Sequence, residues 1–163
     1  MRQRGYTLLE ILVVVAVVAI LSGALLLSAR GAGSDRQIED EARRLHRVLQ
    51  LLCDEAVVEG RFAGFGYSAK AYSGFELMPQ GWRTVKRDGP LQPHDLAKGL
   101  KLVDSLAEDP LPPTLPEKPQ LLCAPTGDIG EHDLILSAAG AQTGWQIALD
   151  RNGDSRLSAW SAQ

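Results

Sequence analysis

The sequence predicts an α+β protein: a long N-terminal helix packed on an antiparallel, β-sandwich-like head. Three observations lead there. Leu8 to Leu27 is a twenty-residue run with a single charge, Glu10. Residues 34–59 then repeat apolar side chains at helical spacing. After Gly60 the period shortens to strand-like runs broken by Gly, Ser and Pro. The 163 residues fit one domain plus an extension. Their make-up, 45% hydrophobic and 23% charged, excludes a disordered chain, a collagen and a disulfide-dense miniature scaffold. A multi-span membrane protein is excluded too, since no second run approaches the ~18 apolar residues a further helix needs.

As a helix, Leu8 to Leu27 is about 30 Å long, the thickness of a bilayer's hydrocarbon core. Arg2 and Arg4 precede it, which keeps the short N-terminal flank in the cytoplasm and places the rest of the chain outside. A cleaved secretory signal has a shorter apolar core and a small-residue cleavage site, and Leu27-Ser28-Ala29 is a poor one. A plain anchor accounts for length and flanks. It does not account for Glu10, because a carboxylate at the centre of such a helix costs about 2.5–3.5 kcal/mol and only somewhat less near its end.

The string Arg4-Gly5-Tyr6-Thr7-Leu8-Leu9-Glu10, followed at once by the apolar run, resembles the N-terminus of the type IV pilin-like family. The resemblance implies that a prepilin peptidase cuts between Gly5 and Tyr6 and methylates the new amine of Tyr6. Tyr6 stands where phenylalanine is usual, so the aromatic ring is retained. Glu10 lies four positions after Tyr6, one helical turn on and on the same face. In the family this glutamate neutralises the N-terminal ammonium of a neighbouring subunit as helices pack into a fibre, and two charges that are each costly in lipid become cheaper together.

The two glycines of Ser28-Ala-Arg-Gly-Ala-Gly33 suggest a soft joint, and Ser34-Asp-Arg-Gln37 fits a capping box for a second helix. That helix sets Ile38, Ala42, Leu45, Leu49, Leu52 and Ala56 on one face and ends near Gly60. The stripe reads as a face packed on the chain's own sheet; with only three heptads, a seam for a partner helix is the alternative. The expected organisation is therefore a leader at 1–5, an assembly and membrane helix at 6–29, an amphipathic half at 30–60 and a β-rich head at 61–163.

Eight strands are expected in the head: Phe62 to Tyr67, Tyr72 to Met78, Trp82 to Val85, Leu100 to Val103, Leu121 to Ala124, Asp133 to Ser137, Trp145 to Leu149 and Arg156 to Trp160. Asn152-Gly153 marks a tight turn between the last two. Asp109 to Pro119 holds five of the nine prolines and reads as an extended connection, with a proline-rich ligand as the alternative.

Asp54-Glu55-Ala56, Gly60, Gly81-Trp82 and Cys123-Ala-Pro125-Thr-Gly127 resemble landmarks of GspH-type minor pseudopilins of type II secretion. This implies a pilin-like fold held in the bacterial inner membrane by one span, with its head in the periplasm. It also implies a structural role near the tip of a pseudopilus that drives folded proteins through the outer membrane. The partners implied are other minor and major pseudopilins, the prepilin peptidase, the inner-membrane secretion platform, the lipid bilayer and, at the tip, exported cargo. The alternatives are a FimT-type minor pilin of a type IV pilus or competence system, and a membrane-anchored periplasmic enzyme or adhesin.

No catalytic, cofactor or metal site stands out. His46, His94 and His132 lack metal-ligand spacing and read as structural or surface residues. Asp150, Asn152 and Asp154 imitate a calcium loop, but Ser155 and Ser161 occupy the positions of the required glycine and glutamate. With Arg2, Arg4 and Glu10 set aside, 15 bases face 19 acids, a net −4 that disfavours nucleic acid. Cys53 and Cys123, the only cysteines, either form a disulfide across about 70 residues, which an oxidising compartment permits, or remain buried thiols.

Overall fold

The computed structural model describes residues 8–162, the side chains of 20–34 excepted. Gly5 and Tyr6 lie outside the described residues. The chain divides into two compact units, Met1–Gln37 and Ile38–Gln163, and helix α1, Leu8–Glu59, contributes to both.

In the first unit, every described side chain from Leu8 to Ala19 is exposed. The expected capping box is corrected: helical backbone continues through residues 28–33, and Ser34 lies inside α1. A capping serine needs orphan amides to accept. Here the amides after Ser34 already belong to a running helix, so Gly31 and Gly33 weaken it, by about 1 kcal/mol each relative to alanine, without ending it.

In the second unit the helix ends as its sequence suggests. Gly60 takes φ +62°, its amide donates to the Val57 carbonyl at 3.3 Å and the Arg61 amide to that of Ala56 at 3.1 Å. These are the paired bonds of a Schellman cap, which needs a residue that tolerates the left-handed region.

Nine strands follow: β1 Ala63–Tyr67, β2 Ala71–Met78, β3 Gly81–Thr84, β4 His94–Asp95, β5 Leu100–Asp104, β6 Leu121–Cys123, β7 His132–Ala138, β8 Thr143–Leu149 and β9 Ser155–Ser161. One sheet, A, runs β3-β2-β1-β6, with β4 also paired to β2; the other, B, runs β5-β7-β8-β9. All pairings are antiparallel. Eight strands fall where the alternating runs placed them, and β4 is the addition. Residues Asp109 to Pro119 form an irregular connection, held where the Ala69 amide donates to the Pro112 carbonyl at 3.2 Å.

The helical stripe of Ile38, Ala42, Leu45, Leu49, Leu52 and Ala56 is buried, and Val48 joins it. It packs in one core with Phe65, Tyr67 and Tyr72 of sheet A and Leu102, Leu134, Leu136 and Ile147 of sheet B. The stripe is therefore consumed by the chain's own sheets, and the partner-helix seam is corrected. Glycines make room on the outer face of sheet A. A Cβ at Gly66 would fall 2.4 Å from the Phe75 ring, and one at Gly64 2.5 Å from Pro119.

Cys53 of α1 and Cys123 of β6 are joined, with their Cα atoms 5.2 Å apart and a sequence separation of 70. In the chain-entropy picture, closing such a loop stabilises the fold by about 4 kcal/mol. Alkylation before and after reduction should therefore label the thiols only once reduced, with a lower midpoint of chemical unfolding in the reduced chain. Two thiols that alkylate freely without reductant would show that no bridge exists.

Candidate functional site

Glu10 lies in the first turn of α1, beside exposed Leu9, Ile11, Val13 and Val14. A contiguous apolar surface of this kind marks a lipid or helix-packing face. Among the described residues no helix is long and apolar enough to cross a membrane; the Leu8–Leu27 run continues past Ala19 into side chains that are not described. Of the three residues the sequence assigns to processing and assembly, the structure thus places Glu10.

In the second unit, all three histidines tie one element to another. His94 of β4 donates from Nε2 to Glu41 Oε1 on the helix at 2.8 Å, and the Tyr72 hydroxyl donates to the same oxygen at 3.1 Å. His46 Nε2 shares a 2.7 Å hydrogen bond with Ser155 Oγ, so the helix is held to both sheets. Arg43 adds a cation–π contact, its guanidinium 5.9 Å from the centroid of the Trp145 ring.

The third tie joins sheet A to sheet B. Asp104 on β5 is buried, 7% exposed, and its Oδ2 accepts from the Tyr67 hydroxyl of β1 at 2.7 Å and from His132 Nδ1 of β7 at 2.9 Å. Its Oδ1 accepts from the amides of Leu106 at 3.1 Å and Asp133 at 3.4 Å. Burial pushes the Asp104 pKa up, but the bonds from His132, Tyr67 and Leu106 outweigh it and bring the group from 3.8 to about 2. Burial, and then Asp104 itself, push the Tyr67 phenol well above its ordinary value.

An open cleft of about 360 Å³ borders this trio beneath residues 106–112. The chemistry available there is limited. Tyr67 stays a neutral donor at every physiological pH, and the carboxylate is committed to four donors, so the trio acts as a strut and presents no activated nucleophile. Among the described residues no cluster of three or more His, Cys, Asp or Glu could hold a metal ion. Asp150, the first residue of the calcium-loop imitation, accepts the amides of Asn152 at 2.9 Å and Asp154 at 3.0 Å on Oδ1. It is a hairpin residue, and Gly153 supplies the positive φ, +87°, that the turn requires.

Sequence reading did not find the strut. The available signal was Asp104 itself, an acid at an inward position of the alternation Leu100, Leu102, Asp104, where a lone charge must have partners.

Because the folded pKa of Asp104 is depressed, its contribution is present above the ordinary value and is lost as pH falls through about 4 towards 2. Denaturation of the full chain in detergent micelles should show a loss of about 2 kcal/mol across that window. Asp104→Asn should already be destabilised at pH 7 and show a flatter acid limb. An unchanged acid limb in the variant would remove Asp104 as its source.

Comparison with known proteins agrees with this architecture. The model for the prokaryotic N-terminal methylation motif matches residues 1–26, and that for the type II transport protein GspH matches residues 41–158. The chain is 29% identical over 163 aligned residues to type II secretion system protein H of Pseudomonas aeruginosa, covering 93% of this chain and 92% of that one. It is also 29% identical, over 148 residues, to type II secretion system protein H of Escherichia coli K12, covering 85% of this chain and 83% of that one. Its fold matches the crystal structure of the minor pseudopilin EpsH from the type II secretion system of Vibrio cholerae with a TM-score of 0.67. That match has 21% identity and covers 79% of this chain and 98% of the other. With its head and the C-terminal half of its helix matched almost throughout, this chain belongs to the GspH family of type II transport proteins.

Proposed function

We propose that this chain is a minor pseudopilin of a type II secretion system, a structural subunit of the tip region of the pseudopilus and not an enzyme. The observation that carries the reading is the union, in one chain, of the methylation motif over residues 1–26 and the GspH match over 41–158. In this reading the prepilin peptidase cuts between Gly5 and Tyr6 and methylates Tyr6. Leu8 to Leu27 holds the subunit in the inner membrane, with the head in the periplasm, and passes into the fibre core on assembly. Glu10 then pairs with the N-terminal ammonium of a neighbouring subunit. The exposed apolar face around Glu10 supports this, since a carboxylate set in such a surface is stabilised by a cation brought to it in lipid. The head contributes contacts to other pseudopilins, and its three inter-element ties suit a rigid part that transmits load without changing shape.

Gly5→Leu should leave the chain at its full length when expressed with the prepilin peptidase, as read by mass spectrometry of the N-terminus. Normal cleavage of that variant would overturn the processing assignment. Glu10→Ala should still be cleaved and fold but should co-purify at least several-fold less with the other pseudopilins from detergent extracts. Undiminished recovery would remove the charge-pairing role.

A further inference from the structure

Sheet B ends on β9, whose seven residues pair with β8 from Thr143↔Ser161 to Leu149↔Ser155. The Asp150 amide donates to the Asp154 carbonyl at 3.0 Å and the Ala162 amide to the Gln142 carbonyl at 2.8 Å. These bonds fix the alternation along the ladder: Arg156, Ser158 and Trp160 exchange bonds with β8, while Ser155, Leu157, Ala159 and Ser161 turn N–H and C=O to the other side. Among the described residues none of those four has a backbone partner there.

The other sheet edges are closed by familiar means. β3 has four residues and β6 three, and Cys123 of β6 also bridges Ile129. On β5 the outward amides of Leu100 and Leu102 donate to the carbonyls of Ala97 and Ala69, each at 3.0 Å. β9 has none of these devices: it is long, contains no proline, and its inward positions, which share a face with buried Ile147, are Ser, Leu, Ala and Ser. An edge left in this condition is a template for another strand.

Its outer face says what that strand should carry. Arg156 is exposed and has no ion-pair partner among the described residues. Trp160, four residues on, is half-buried, and their neighbours across β8 are only Ala148 and Gly144. We infer that the free edge of β9 receives an extended antiparallel strand from another pseudopilin subunit, with a carboxylate opposite Arg156 and an apolar side chain opposite Trp160. A second copy of this chain fits less well, because β9 holds no acid to offer Arg156. The inference rests on the pseudopilin reading.

The test uses the full chain in detergent micelles, mixed in turn with each co-expressed major and minor pseudopilin and followed by amide hydrogen exchange. Binding should slow exchange at Leu157 and Ala159 at least tenfold and leave Arg156, Ser158 and Trp160, already bonded to β8, unchanged. Ala159→Pro removes only an outward N–H and should weaken binding at least tenfold while the melting temperature is kept. Arg156→Glu should weaken it similarly, with Arg156→Lys in between, and this series serves if the proline variant fails to fold. Full binding by both Ala159→Pro and Arg156→Glu, or protection confined to other segments, would overturn the edge while leaving the pseudopilin reading intact. Protection that depends only on the concentration of this chain would assign the edge to a second copy and overturn the stated occupant. Absence of binding to every pseudopilin would overturn both readings.

Discussion

Burial of the apolar stripe of α1 is the constraint on which the rest of the head depends. Residues of both sheets share one core with the stripe, and residues 38–56 give the two sheets a common wall. Leu45, Leu49 and Leu52 are about as inaccessible as any residue in the protein. At roughly 1.5–3 kcal/mol for each large side chain buried, this contact outweighs any single polar tie. The polar ties have a different task. Hydrophobic packing is non-directional, and a helix can slide against a sheet at modest cost. Glu41 with His94 and Tyr72, and His46 with Ser155, accept one register only, and the disulfide from Cys53 to Cys123 fixes it covalently.

Much of this architecture was legible in the sequence because it rests on local periodicity. The 3.6-residue stripe and the two-residue alternation after Gly60 are properties of short windows, and they located the helix end and eight strands. The two-residue strand β4 carries no period at all; it exists because Ala71 and Tyr72 offer it an edge. Ser34 misled for the opposite reason. A capping box describes what a helix start would look like, and it cannot tell whether the preceding residues are helical already.

The functional residues divide in the same way. Glu10 was conspicuous because a single charge in an apolar run is a local anomaly. The strut of Tyr67, Asp104 and His132 was not, since its members are separated by 37 and 28 residues and become neighbours only when sheet A meets sheet B. The fate of Cys53 and Cys123 was open for the same reason: each sits in a leucine-rich context that suits a buried thiol equally well, and only the approach of β6 to the helix decides between them.

The proline-rich connection between β5 and β6 is secured by hydrogen bonds at both ends. At one end the Pro112 carbonyl takes the Ala69 amide. At the other, Pro119 lies against Gly64, and the Gln120 side chain accepts from the Tyr67 amide and donates to the Tyr67 carbonyl. Residues 114–118 therefore form a segment whose flanks are held independently of its length. Since closing a longer loop costs only about 0.6 kcal/mol for each doubling, exposed Glu117 and Lys118 are positions where a peptide tag or a fluorophore adds little strain to the flanks. They are the natural handles from which to follow the subunit in a working secretion apparatus.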